Sequence, residues 1–518
     1  MLKRNLVRLV VGQGALALGL SGLMCQAEVK LPALFSDNMV LQRDKPVAVW
    51  GWAENGEKVT VKLANSEATA EAKDGKWRVY LPKLKAGGPH ALIVKGNNEI
   101  TRTNVLVGEV WICSGQSNME WAMSQSFQPT EDIKSSRNQK IRLFTVPKLK
   151  ANEPVDDVKS QWVLCESSEV SKFSAVAYYF GRDLQKELGV PVGLIHTSWG
   201  GSPAEVWMRQ EVLAENAVYK AEFLDPYPDH QKWFEAEVAK WEKEKADLEK
   251  EGKKINRGRP WAAWRPAELY NGMIAPLVPL SIRGAIWYQG ESNAGRAHLY
   301  RDLFADMISN WRLDFGQGDF PFLLVQLAPW DRNKKREISE ITKEPMESDW
   351  AELREAQLMS TKVLPNVGMA VITDVGDKDD IHPAKKGPVG ERLARAARGI
   401  AYGEKVVYSG PIYRAMRIER DKAYISFDHV GRGLVAKDGD LKGFAIAGKD
   451  RTFVWAKAEI EGNEVVVSSP EVPDPVAVRF GWADYPVVNL FNREGLPASP
   501  FRTDSFPMLT GPKLVVKK

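Results

Sequence analysis

Gly108 to Trp121 reads GEVWICSGQSNMEW, and the rest of the chain is organised around it. Val110, Trp111, Ile112 and Cys113 form a short apolar run that stops at Gly115, two residues before Ser117. A continuous apolar run bounded by glycine is the pattern of a strand buried on both faces, so Ser117 is expected on a turn just past its carboxyl end. Open α/β sheets place their chemistry at such ends. A lone serine at a strand-to-loop junction is more often an ordinary hydrogen-bonding residue. Here, however, four later segments break in the same way.

Outward from that stretch, Lys172 to Leu188 carries Phe173, Val176, Ala177, Phe180, Leu184 and Leu188 on one helical stripe, with Ser171 as the expected cap and Gly189 as the stop. The alternation continues with strand Val192 to Thr197, strand Gly284 to Tyr288, helix Ala297 to Trp311 and strand Phe322 to Leu327. Helix Asp349 to Thr361, strand Gly368 to Thr373 and helix Gly387 to Ile400 complete it. Five apolar strands separated by helices predict an α/β fold with a parallel sheet covered on both faces.

Three regions depart from that rhythm. Residues 28–103 show short alternating strands at Val47 to Trp50, Val59 to Leu63, Trp77 to Leu81 and Ala91 to Val94, with turns at Glu54-Asn55-Gly56 and Asp74-Gly75-Lys76. This predicts a small immunoglobulin-like β-sandwich, read as a packing spacer ahead of a binding module. Residues 209–265 insert a highly charged helix, Gln231 to Lys254, with Trp233, Phe234, Val238, Trp241 and Leu248 on one side. Its plain reading is a surface-packed insertion, and its sharper reading a lid. From 404 to 518 the alternation returns, predicting a jelly-roll-like β unit whose last stretch folds back on the central domain, 104–403.

At 518 residues with a net charge of +4, the chain is multidomain and has no field suited to nucleic acid. Residues 1–27 read as a signal peptide: Lys3, Arg4 and Arg8, then an apolar run to Met24, then Cys25-Gln26-Ala27. No later segment has the apolar length to span a membrane. The expected location is periplasmic or secreted, where Cys113 and Cys165 are equally consistent with a disulfide and with a free buried pair. Oligomeric state has no signature in the sequence.

The strand ends carry Ser117, then Gly200 and Gly201, then Asn293, then Asp379, Asp380 and His382. Acyl transfer needs this set. A serine hydroxyl attacks once an imidazole takes its proton, a carboxylate holds that imidazole, and N–H donors face the oxygen that becomes negative. Ser117, a glycine and Asn293 supply three donors. The acidic run Asp374, Asp377, Asp379, Asp380 lacks the spacing and glycine of a calcium loop. The six histidines show no paired ligand spacing, and His196 reads as a strand-end core histidine.

GQSNMEW, TSWGGSPAEVW, GAIWYQGESNA and DIHP resemble the sequence blocks of the SGNH hydrolases, in particular the sialate O-acetylesterase family and its plant-polysaccharide acetylesterase relatives. The resemblance spans about Gly108 to Tyr402, and the closing ASPFRTD also fits. It implies a three-layer α/β/α domain with Ser117 as nucleophile and His382 as base. It implies an oxyanion hole of Ser117, Gly200 or Gly201, and Asn293, with no metal and no cofactor. The SGNH pattern puts the acid at Asp379, whereas the wider family block favours Asp380. Gln116, Asn118, Trp199, Gln289, Glu291 and Arg296 flank the site as candidate substrate contacts, with Gln289 and Glu291 read first as loop braces. The implied substrate is an acetylated carbohydrate, sialic acid or plant oligosaccharide. The rival reading is a non-catalytic carbohydrate-binding surface protein on the same core.

Overall fold

The computed structural model describes residues 28–333 and 335–512; the expected signal peptide lies outside the described residues. Its centre is a strand longer than the sequence pattern predicts, β7 (Glu99–Gly115), preceded by β1 (Val40–Gln42), β2 (Val47–Trp52), β3 (Lys58–Leu63), β4 (Ser66–Glu71), β5 (Lys76–Leu81) and β6 (Gly87–Lys95). The expected boundary at residues 103 and 104 falls inside β7. Its first half alternates in burial and pairs antiparallel with β6, and its second half is buried throughout.

That second half lies in the middle of the central sheet, flanked by β8 (Asn138–Thr145), β9 (Val163–Cys165), β10 (Val192–Ser198), β11 (Gly284–Tyr288), β12 (Phe322–Val325) and β13 (Val367–Ala370). The order is β13-β12-β11-β7-β10-β8-β9. All neighbours are parallel except β9, which runs antiparallel to β8, so the sheet is mixed rather than purely parallel. Neither β8 nor β9 was expected from the sequence, because the apolar run Ile141 to Phe144 is broken by Arg142 and β9 has three residues.

Successive β7 side chains enter opposite cores, as the two-residue period of a strand requires. Trp111 and Cys113 pack with Val176, Phe180, Leu184, Val389 and Leu393 from helices Ala175–Leu188 and Gly387–Ile400. Val110 and Ile112 face the cluster holding Leu303, Phe304, Met307 and Leu353 from helices Ala297–Phe315 and Asp349–Val363. The first helix begins later than expected. Ser174, not Ser171, caps it by accepting the Ala177 N–H at 3.1 Å, and Gly189 ends it at φ 69°.

The N-terminal strands attach to this core through Glu109, which is fully buried and holds Gln42, Arg43 and Arg283. Residues 412–502 form two four-stranded sheets and a two-stranded one around their own core. The last described residues do fold back: the N–H of Thr510 donates to Glu352 at 3.0 Å, and its hydroxyl accepts from the His298 N–H at 3.1 Å. Arg354, fully buried, clamps the same junction by donating to the carbonyls of Leu327, Ala328, Ala483 and Asp484.

The charged part of the insertion is the helix Tyr227–Lys250, with no fully buried residue, whereas the short helical turns ahead of it, Gln210–Glu215 and Ala217–Tyr219, bury Leu213 and Tyr219. Its apolar side is only half covered, because charged residues occupy most of its surface, and Trp233 is 62% exposed. Cys113 and Cys165 are free and buried. Among the described residues, no helix is long and apolar enough to cross a membrane.

Candidate active site

Gly115, Ser198 and Tyr288 are in register at the carboxyl ends of β7, β10 and β11. Gly115 adopts φ 141°, and a side chain there would stand 2.1 Å from the Tyr288 carbonyl, so only glycine lets the chain turn this tightly. The Gln116 N–H then donates to that carbonyl at 2.9 Å, and Ser117 opens a single helical turn, Ser117–Glu120. The first N–H groups of such a turn have no partner within it.

His382 Nε2 lies 2.8 Å from Ser117 Oγ. Asp380 Oδ1 accepts the His382 backbone N–H at 2.8 Å, which fixes the chain, and stands 3.6 Å from Nδ1, within ion-pair reach of the ring when it is charged. Asp379 is turned elsewhere: it accepts from Lys378 Nζ at 2.6 Å and from the Lys335 N–H at 3.1 Å. Asp377 closes the turn by accepting the N–H groups of both residues, and Asp374 pairs with Arg392. Trp121 stacks on the imidazole, 5.2 Å between centres and 18° between planes. Burial holds the His382 ring below its ordinary value of 6.5; Asp380 pulls it up, and Lys386 pushes it down.

On the other side of Ser117, the Gly200 N–H donates to Glu120 Oε2 at 2.7 Å, and Glu120 Oε1 takes Lys148 Nζ at 2.6 Å. Gly201 follows at φ 75° with open space where a side chain would be. Asn293 is 1% exposed and tightly held. Its Oδ1 accepts from the Ala204 N–H at 2.9 Å and from Gln289 Nε2 at 2.7 Å, while Nδ2 donates to Glu205 Oε2 at 2.9 Å. Gln289 is held in turn by the Tyr300 hydroxyl at 2.8 Å.

The expected substrate contacts divide. Gln116 Oε1 accepts the N–H groups of Gly290 and Ser292, joining the serine turn to the Asn293 loop. Asn118, fully buried, donates to Glu291 at 2.6 Å and to the Ile381 carbonyl at 3.0 Å. Arg296 pairs with Glu205 at 2.7 Å. Gln116, Asn118, Gln289, Glu291 and Arg296 thus face protein partners, for the simple reason that polar groups at converging loop ends must satisfy each other once buried. Trp199 is half exposed, edge-on to Trp264 at 5.6 Å, with Lys148 and Lys150 over its ring.

Sequence reasoning missed Trp121, Glu120, Glu205 and Lys386. Lys386 is 1% exposed, donates to Asn118 Oδ1, and sits 5.2 Å over the Tyr288 ring. Burial pulls its ammonium down to about 7, against the attraction of Glu291 and Asp380. In PAKKG nothing distinguishes it from a solvated lysine; Trp121, by contrast, lies within the GQSNMEW block and could have been found there. His196 is a core histidine as expected, its Nε2 2.6 Å from Ser198 Oγ.

The family model for carbohydrate esterase, sialic acid-specific acetylesterase, matches residues 107–226 and 250–398, leaving out 227–249. The chain is 30% identical to the human sialate O-acetylesterase, over 91% of this chain and 92% of that protein. It is 29% identical to the mouse sialate O-acetylesterase, over 90% and 93%. A crystal structure of a carbohydrate acetylesterase from Xanthomonas citri superposes with a TM-score of 0.79 at 38% identity, covering 92% of this chain and all of that one. Fold and matches together define a carboxylic ester hydrolase. Within that class, the chain belongs to the sialic acid-specific acetylesterase family of carbohydrate esterases.

Proposed function

We propose that the protein is a serine esterase that removes O-acetyl groups from sugars, working at Ser117. The observation that carries this reading is the 2.8 Å separation of Ser117 Oγ and His382 Nε2. His382 takes the serine proton as Oγ attacks the acetyl carbonyl, and Asp380 orients the ring and stabilises its charged form. The tetrahedral oxygen is met by the N–H of Ser117, the N–H of Gly201 and the second hydrogen of Asn293 Nδ2. Gly201 is preferred to Gly200 because the Gly200 N–H already serves Glu120. His382 then protonates the departing sugar oxygen, and water, activated by the same ring, releases acetate from the acyl-enzyme. No step calls for a metal or cofactor.

The central domain is read as an SGNH hydrolase of three layers over 104–403, with a sandwich-like unit before it and a jelly-roll-like unit after it. Residues 1–27 are read as a signal peptide that exports the enzyme to the periplasm or beyond, towards acetylated sialic acid or plant glycans. The test is Ser117→Ala, which abolishes p-nitrophenyl acetate hydrolysis and fluorophosphonate labelling while the circular dichroism spectrum stays unchanged. Turnover that survives the substitution rejects the mechanism.

A further inference from the structure

Residues 227–249, which the family model leaves out, coincide with the solvent-exposed helix Tyr227–Lys250. The chain returning from that helix runs beside it, with Arg257 paired to Glu244 and the Trp241 indole N–H donating to the Arg257 carbonyl at 3.0 Å. It then changes character. After a densely charged stretch comes Pro260-Trp261-Ala262-Ala263-Trp264, without a single charge, and Trp261 is 91% exposed.

This segment ends at the active site. Trp264 meets Trp199 edge-on at 5.6 Å, and Trp199 directly precedes the Gly200-Gly201 pair. Lys150 Nζ lies 4.1 Å over Trp264, and Lys148 connects the Trp199 ring to Glu120. Trp261 is three residues from Trp264, within about 10 Å along the chain. One observed indole pair, Trp199 and Trp264, thus stands beside the candidate oxyanion loop, and a third, solvent-exposed indole, Trp261, follows in the same short segment of the insertion.

We propose that Trp199, Trp264 and Trp261 form an extended subsite for the uncharged sugar units next to the acetylated one, so that the preferred substrate is an oligosaccharide rather than a single sugar. Indole faces take the C–H faces of pyranose rings, and the uncharged PWAAW stretch suits neutral units. Lys148 and Lys150 already cover one face of Trp199, and Lys150 one face of Trp264, so sugar units would take the uncovered ring surface there and the open Trp261 indole, with the ammonium groups donating to their hydroxyls. The proposal rests on the esterase reading above.

The experiment compares p-nitrophenyl acetate, an acetylated methyl glucoside and acetylated cellotetraose on wild type, Trp261→Ala and a variant lacking 227–249. Trp261 is outside the catalytic machinery and on the surface, so p-nitrophenyl acetate turnover stays unchanged. KM for the tetrasaccharide rises about three- to tenfold, as loss of one aromatic contact predicts, and that for the glucoside does not. The shortened variant gives the same selective loss. Equal effects on all three substrates, or none on the tetrasaccharide, overturn the subsite. Wild type inactive on every ester instead overturns the esterase reading.

Discussion

Trp121 lies nearly parallel to the His382 imidazole, 18° between planes, and keeps water from one face of the ring. Burial is the largest cause of the lowered His382 value, so removing the indole that covers one face of the ring lessens the shift. In the role of base proposed for it, the ring works only when neutral. In wild type the acid limb of kcat/KM therefore falls below pH 6.5. In Trp121→Ala the limb moves to higher pH, and the loss of rate is greatest on the acid side. A pH–rate profile of both proteins checks this.

Asp380 and Asp379 are separable. Asp380 faces Nδ1 across 3.6 Å, with its side chain 57% exposed. Asp380→Asn lowers kcat by about 10- to 100-fold, less than the ~10⁴-fold loss known for a fully buried triad acid, because water partly replaces the carboxylate. Asp379→Asn, which disturbs contacts to Lys378 and Lys335, costs less. Parallel kcat measurements on p-nitrophenyl acetate decide it, and a reversed ranking would move the role to Asp379.

If Asn293 is the oxyanion donor proposed above, Asn293→Ala lowers turnover by about 10²–10³-fold, the usual effect of losing one such donor, with little change in KM. It also strips a partner from Glu205, itself 5% exposed, so the melting temperature falls as well. Steady-state kinetics and a thermal melt on the same sample separate the two effects.

Lys386 tests the buried network. Its folded value of about 7 lies below the ordinary 10.5, so between these pH values the unfolded chain holds a proton that the folded chain has released. Stability contributed by this group therefore rises with pH across that window, and it is lowest below pH 7, where a buried charge must be carried. Lys386→Met removes the term. The difference in melting temperature, wild type minus variant, increases from about pH 6 to pH 9.5.

The elements that the sequence made legible were those whose apolar pattern is uninterrupted. Gly284–Tyr288 and Gly387–Ile400 match their expected bounds, because one strand is buried on both faces and one helix carries a clean stripe. Strand β8 was hidden by a buried arginine, whose guanidinium finds backbone carbonyls that no local pattern reveals. The candidate residues at the strand ends were legible for the same reason as the strands, because each follows the break of an uninterrupted apolar run. What surrounds them was not. Whether Asn118 meets a ligand or meets Glu291 and Lys386 depends on loops more than 170 residues apart in the chain.

The seventeen-residue strand β7 has a consequence for how this protein can be taken apart. One half of it zips the N-terminal sheet, and the other is the middle rib of the catalytic layer. A cut at residue 103 would sever a single hydrogen-bonded ladder, not a tether. The N-terminal unit is thus no appendage that recombination could exchange like a bead on a string. It and the hydrolase share a spine, and neither is expected to survive transplantation alone.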